Sequence, residues 1–283
     1  MRYLSISSTE VLAALQCPVC GASLRLSESG KSLLCTGGKT HCFDIARKGY
    51  VNLCPGRPSG GDSAEAVRAR TAFLEKEYYR PFAEAVCHTL AHVLSEEMVV
   101  DAGCGEGYYT NRVAQTAGFS CLGFDLSRAA VEKAASNATA QNLRAAYAVA
   151  GLYALPVRDA GVPAVMNLFA PCAENEFCRV LRPGGILLVA GAGENHLYSM
   201  KKTIYDTPYK NEPRRDLPRH MERISHQTLR YELRLENVAD RYNLFSMTPY
   251  FYRTSKEDAN KLALPDVLVT EAEFDIDVFR KPL

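Results

Sequence analysis

The chain has 283 residues, 47% hydrophobic and 23% charged, with a formal net charge of +1. That length allows one large domain or two smaller ones, and the near-zero charge excludes global electrostatic steering, so any basic surface has to be local. No apolar run long enough to span a bilayer and no signal-like leader occurs, so the sequence predicts no membrane partner and a cytoplasmic location, with its ten cysteines mostly reduced.

The first chemistry in chain order is Cys17-Pro-Val-Cys20, followed by "LRLSESGKSLLC", which reads as two short strands, Leu24–Leu26 and Ser32–Cys35, around the turn Ser29-Gly30. Cys35, His41 and Cys42 complete the pattern Cys-x2-Cys-x14-Cys-x5-His, a set of soft ligands suited to tetrahedral zinc. A disulfide is disfavoured by compartment, and a thioredoxin-like pair by the lack of a strand before and a helix after it. Cys17, Cys20 and Cys35 are the firm ligands; the adjacent His41 and Cys42 compete for the fourth place. So small a segment buries too little to be stable alone, so the metal is expected to be structural. Residues 1–60 also carry seven Lys and Arg against three acids, a local excess of +4. That suits a phosphate-reading module, with a solvated scaffold as the bland alternative.

After the break "PGRPSGGDS", residues 64–94 show helical spacing, and "MVVDAGCGEGYYT" then gives a buried strand over 98–101, the glycines Gly103, Gly105 and Gly107, and a helix from about Tyr108. The dinucleotide fingerprint fails by one residue, but the loop still allows close backbone approach by a ligand. Asp125 ends the next strand, "SCLGFD", about twenty residues on, where a carboxylate can accept both hydroxyls of a ribose. Further strands are predicted to about Val149, in "AVMNLFAPC", and in "ILLVAG" after "VLRPGG", so strands and helices alternate as in a parallel sheet.

The motif Asp101-Ala-Gly-Cys-Gly-Glu-Gly107, the spaced Asp125 and Leu181-Arg-Pro-Gly-Gly185 resemble the class I S-adenosylmethionine-dependent methyltransferases. The finer resemblance is to the 23S rRNA (guanine-N1)-methyltransferases, which place a zinc module ahead of the methyltransferase domain. It is carried by Cys17-Pro-Val-Cys20, Cys35, His41, Phe43-Asp44, Gly49-Tyr-Val-Asn-Leu53, Gly61-Asp-Ser-Ala64, Gly103-Cys-Gly-Glu-Gly-Tyr-Tyr109, Ala170-Pro-Cys172 and His196-Leu197. It implies an α/β fold: a doubly wound, mostly parallel, seven-stranded Rossmann-like methyltransferase sheet with a small N-terminal zinc-binding, β-rich domain. The division expected is residues 1–58 for the RNA-recognising zinc module and 59–283 for the methyltransferase domain. The resemblance implies zinc at Cys17, Cys20, Cys35 and His41, and S-adenosylmethionine contacts at Tyr79, Gly105, Glu106 and His196, beside Asp101, Gly103 and Asp125 of the motif. Two departures stand out: the Cys35-to-His41 loop is longer than the family's, which keeps Cys42 open as a substitute, and Asn167 stands where a basic residue is expected.

The implied reaction is methyl transfer to N1 of a guanine in a hairpin loop of 23S rRNA. The base would be looped out or extruded and stacked on an aromatic such as Phe169 or Tyr153; either ring serves equally as a strand-end core aromatic. No residue is assigned as general base. The segment 201–235 holds nine Lys and Arg against five acids with interleaved tyrosines, a candidate RNA-gripping surface or a solvated one. The rival readings are an RNA cytosine-C5 methyltransferase with Cys172 as nucleophile, a non-catalytic ribosome-assembly RNA-binding protein, and a small-molecule methyltransferase. A homodimer is allowed, and the family raises a link to macrolide resistance.

Overall fold

The structure, a computed structural model, describes residues 5–56, 60–95 and 98–283. A short helix, α1 (Thr9–Ala14), leads into three antiparallel strands, β1 (Leu24–Leu26), β2 (Ser32–Cys35) and β3 (Cys42–Asp44). The β1–β2 hairpin has the strand limits expected, with Leu24 opposite Cys35 and Leu26 opposite Leu33. Next come β4 (Tyr50–Asn52), α2 (Ala64–Leu74), α3 (Arg80–Val93), β5 (Met98–Ala102), α4 (Tyr108–Thr116), β6 (Ser120–Asp125), α5 (Arg128–Ala140) and β7 (Ala145–Val149). The chain continues through β8 (Val162–Leu168), α6 (Glu174–Val180), β9 (Leu181–Ala192), α7 (Tyr198–Ile204), β10 (Glu222–Leu235), α8 (Val238–Ser246), α9 (Lys256–Asn260) and β11 (Leu268–Arg280).

The large sheet runs β10-β11-β9-β8-β5-β6-β7-β4, with parallel pairing from β9 to β4 and antiparallel pairing of β9 with β11 and β11 with β10. It therefore has eight strands, not the seven expected. The extra one is β4, drawn from the "KGYVNL" stretch assigned to the zinc module: it adds in parallel to the edge of β7, Tyr50 opposite Tyr147, and buries Tyr50 and Val51. The expected boundary between 58 and 59 lies outside the described residues.

A parallel sheet must be covered on both faces. One face, including Val99, Cys121 and Tyr147, packs under α3, α4 and α5. The other, including Val100, Leu122, Phe124 and Ala148, is covered by Phe177 and Val180 of α6 and by Ile6, Leu15 and Leu33 of the N-terminal segment. The Gln16 N–H donates to the Pro156 carbonyl at 3.0 Å and the Arg158 guanidinium donates to the Leu15 carbonyl at 3.1 Å, fastening that segment in place. The helical run expected over 64–94 is broken into α2 and α3. Glu77 takes a left-handed φ of 63° and Pro81 sits in the first turn of α3, while ion pairs of Lys76 with Asp240 and Arg112 with Glu77 hold the break.

Candidate functional site

The hairpin base gathers the thiols of Cys17, Cys20 and Cys35 with the His41 ring, all ligand atoms lying within 4.8 Å of one another. Tetrahedral geometry at about 2.3 Å for Zn–S and about 2.0 Å for Zn–N requires ligand separations of roughly 3.5 to 3.8 Å. The Cys20 and Cys35 sulfurs lie 3.9 Å apart, and Nδ1 of His41 lies 3.6 Å from the Cys17 sulfur and 3.3 Å from that of Cys35. The four therefore fit zinc, with Nδ1 as the histidine donor. The His41 backbone N–H, 3.1 Å from the Cys35 sulfur, is the main cause that lowers this thiol to about 6, which favours the thiolate a metal needs. Cys42 is exposed with its sulfur turned to Asp44, as strand alternation requires when His41 points inward, so the choice left open by the sequence falls on His41.

The second site lies at the C-terminal ends of β5, β6 and β8, where the strand order reverses and α/β sheets bind ligands. A cavity of about 270 Å³ is lined there by Asp101, Gly103, Gly105, Glu106, Tyr109 and Asp125, together with Asp62, Arg70, Phe169 and Pro171. Ligand pockets start near 300 Å³, and the Arg70 side chain occupies part of the space. Gly103 has φ 91°, and a Cβ there would come within 2.7 Å of the Ala170 methyl; at Gly107, with φ 76°, it would strike the Tyr147 hydroxyl at 2.7 Å. Glycine is thus required at both positions by conformation and by room. Asp125 accepts the Gly105 N–H at 3.0 Å and the Ser127 N–H at 2.7 Å, which fixes its carboxylate at the end of β6 while leaving each oxygen a further acceptor site. Burial nonetheless raises the carboxyl above its ordinary range.

Arg70, on α2, was not singled out in the sequence. Its guanidinium donates to Glu106 at 2.7 Å and forms an ion pair with Asp62, and it lies over Gly105. One oxygen of Glu106 and one of Asp101 are buried without a hydrogen-bond partner, so the cavity holds unmet polar groups that the ammonium and hydroxyl groups of S-adenosylmethionine could satisfy. No local pattern marks Arg70, because its role arises only when α2 packs across the β5 and β6 loops.

Tyr79 and His196 stand apart from this cavity lining. They are buried and hydrogen-bonded to each other at 3.2 Å, with both rings against Phe274. Nδ1 of His196 accepts the Glu273 N–H at 3.2 Å, and burial lowers the ring to about 3. The imidazole is therefore neutral with its proton on Nε2, donating to the Tyr79 hydroxyl. Phe169, 45% exposed, is held at φ 55° over the cavity between Phe82 and Tyr109; Tyr153 is exposed. A bulky residue in the left-handed region is strained and persists only where its surroundings hold it there.

Along the segment 201–235 most of the cations have partners, although Arg215, Arg223, Arg230 and Arg234 stay more than half exposed. Lys201 is buried, donating to the Tyr209 carbonyl and Asn211, and Lys210, Arg214, Arg215, Arg223, Arg230 and Arg234 are all in ion pairs with acids. In the ribbon, by contrast, Arg25, Lys31, Lys39, Arg47 and Lys48 are exposed, and none is in an ion pair among the described residues.

Asp101 supplies a pH test. Buried, with Thr110 donating to one oxygen at 2.5 Å, its carboxyl is pushed up to about 7. A folded pKa above the unfolded one means that the native state holds a proton that the unfolded chain lacks between about pH 4 and 7. The associated stability is present at the acid end of that window and is lost as pH rises through 7. Asp101→Asn, which carries no charge to bury, should therefore gain melting temperature relative to the parent more at pH 8 than at pH 5. Equal shifts at both pH values, read by differential scanning fluorimetry, would contradict this assignment.

Two family models match the chain: one described as "RlmA, N-terminal", a zinc ribbon, over residues 15–58, and one described as "Methyltransferase domain" over residues 99–185. Among curated proteins, the "23S rRNA (guanine(748)-N(1))-methyltransferase" of Streptomyces fradiae is 35% identical over 240 residues, covering 81% of this chain and 82% of that protein. The "Putative 23S rRNA (guanine-N(1)-)-methyltransferase" of Micromonospora griseorubida is 35% identical over 252 residues, covering 80% and 83%. A Bacillus subtilis (strain 168) protein, "Putative 23S rRNA (guanine-N(1)-)-methyltransferase YxjB", is 28% identical over 278 residues, covering 93% and 95%.

Proposed function

Since the chain belongs to the 23S rRNA (guanine-N1)-methyltransferase family, we propose that it methylates N1 of a guanine presented in a hairpin loop of 23S rRNA, with residues 1–58 as the RNA-recognising module and 59–283 as the catalytic domain. S-adenosylmethionine is the methyl donor and the Cys17, Cys20, Cys35 and His41 cluster is the zinc site. The observation that carries the reading is a ribbon with five exposed basic residues joined by β4 to a sheet whose C-terminal edge holds the acid-lined cavity.

When bound, the sulfonium supplies a methyl group that is already electrophilic, so the protein's task is alignment and exclusion of water. Asp125 is placed for the ribose, and Gly103, Gly105, Glu106 and Asp101 shape the remainder of the cofactor pocket. Tyr79 and His196 stand behind the pocket, packing on Phe274, which in turn packs on Phe169 of the lining. Phe169 offers an aromatic face at the mouth on which an extruded guanine can stack. A cytoplasmic location goes with a ribosomal substrate, and a homodimer remains compatible with it.

The cytosine-C5 alternative needs a thiolate at Cys172, but burial pushes this thiol up to about 11. The test is methylation of 23S rRNA hairpins in which a candidate guanine is replaced by inosine or adenine, with the product base mapped by mass spectrometry. Inosine keeps the N1 proton and should remain an acceptor, adenine should not, and Cys172→Ala should retain turnover. A methyl group on cytosine C5, or on a small metabolite with RNA inert, would overturn the proposal.

A further inference from the structure

We infer that Arg214, together with Asp216, is a positioning residue for the acceptor base: it pins the loop that carries Phe169 in its strained conformation and ties that loop to the segment 205–221. The inference rests on the guanine-N1 reading for its kinetic consequence, though not for its structural one. Arg214 spends its guanidinium fork inward rather than on solvent. Its NH2 nitrogen donates to the Ala170 carbonyl at 2.6 Å and to the Asn167 side-chain oxygen at 3.2 Å, its NH1 nitrogen to the Ala190 carbonyl at 3.2 Å, and Nε to Asp216 at 2.7 Å. Asp216 in turn accepts the Cys172 N–H at 2.8 Å.

The loop after β8 is thus held on both sides of its strained residue. The Phe169 N–H donates to the Ala190 carbonyl at 2.9 Å, so one carbonyl of β9 receives both Phe169 and Arg214. Left-handed φ at a phenylalanine persists only where surroundings over-determine it; two hydrogen bonds from this pair of side chains to the loop, at Ala170 and Cys172, and two to the flanking strands, at Asn167 and Ala190, supply that determination. Asn167, where a basic residue was expected, is completed by the guanidinium arriving from 47 positions later. Its amide also donates to the Ala102 carbonyl at the end of β5, at 3.0 Å. Lysine cannot replace a planar fork that bonds in four directions.

The test uses the full zinc-loaded chain, tritiated S-adenosylmethionine and transcribed 23S rRNA, with Arg214→Lys and the isosteric Asp216→Asn as independent variants. For both, kcat should fall by about tenfold or more, as small misplacements of a reacting group do, while KM for S-adenosylmethionine stays within about threefold. Amide hydrogen exchange over residues 169–172 should accelerate in the cofactor-free protein, a readout that needs no activity. Unchanged kcat, a KM for the cofactor that rises in step with the loss of kcat, or unchanged exchange would each overturn the inference. If the parent protein methylates no guanine, it is the proposed function that fails, and the exchange measurement still decides whether the pin exists.

Discussion

Removing the metal from the Cys17, Cys20, Cys35 and His41 cluster, or replacing Cys17 by Ser, is expected to unfold the ribbon and to lower the stability of the whole chain. The ribbon has three strands of three or four residues and buries few large side chains, Leu24 and Leu33 among them. Each such leucine contributes about 1.5 to 3 kcal/mol, against about 1 to 2 kcal/mol of backbone entropy for every residue ordered. Structural zinc contributes about 10 to 16 kcal/mol in isolated fingers at neutral pH, as much as the entire stability of a typical domain. The metal therefore decides whether this segment folds. Its loss should also reach the large sheet, because Leu15 and Leu33 cover one face of it and β4 completes one edge. Metal analysis should return about one zinc per chain for a single four-ligand site, and the thermal melt should drop on chelation. Cys42→Ser, altering an exposed thiol outside the cluster, should leave both unchanged. A chelated protein that keeps its melt and its protease resistance between β1 and β4 would refute a structural role.

That coupling is what the sequence concealed. The hairpin limits Leu24–Leu26 and Ser32–Cys35, the start of α4 at Tyr108 and the end of β6 at Asp125 were all legible, since turn glycines, alternation and the change to helical spacing are local signals. Where Tyr50 and Val51 would pair was not legible, for strand addition to β7 depends on an edge formed nearly a hundred residues later. The break between α2 and α3 was hidden for a related reason: Glu77 has no intrinsic call for φ 63°, and the partners that hold the turn, Asp240 and Arg112, come from α8 and α4.

The candidate cofactor pocket divides along the same line. Gly103, Gly105, Glu106 and Asp125 sit within one βαβ unit, so spacing alone places them together. Arg70 reaches them through helix packing, and Arg214 reaches Asn167 through a segment with no regular structure. In the charge-rich run 201–235 composition counts Lys201 and Arg230 alike, whereas tertiary contacts bury the first and leave the second largely exposed while pairing it with Glu273.

Asp125→Ala is expected to weaken S-adenosylmethionine binding by about 1.5 to 3 kcal/mol, roughly 10- to 150-fold in Kd, the worth of a charge-assisted hydrogen bond in a partly buried site. The size alone is ambiguous, because Asp125 also accepts the Gly105 and Ser127 N–H groups, and its removal would loosen the glycine loop whether or not a ribose is held there. A double-mutant cycle separates the two effects. Calorimetry with the parent cofactor and with an analogue lacking the ribose hydroxyls, on parent protein and on Asp125→Ala, gives four affinities. If the carboxylate takes the hydroxyls, removing either partner forfeits the same interaction, so the second removal should cost little once the first has been made. Strictly additive losses would mean that Asp125 supports the loop and that the ribose is held elsewhere. Asp125→Asn sharpens the comparison: an amide keeps one acceptor for a backbone N–H but turns a donor towards the other, so it should fall between the parent and Asp125→Ala for the natural cofactor.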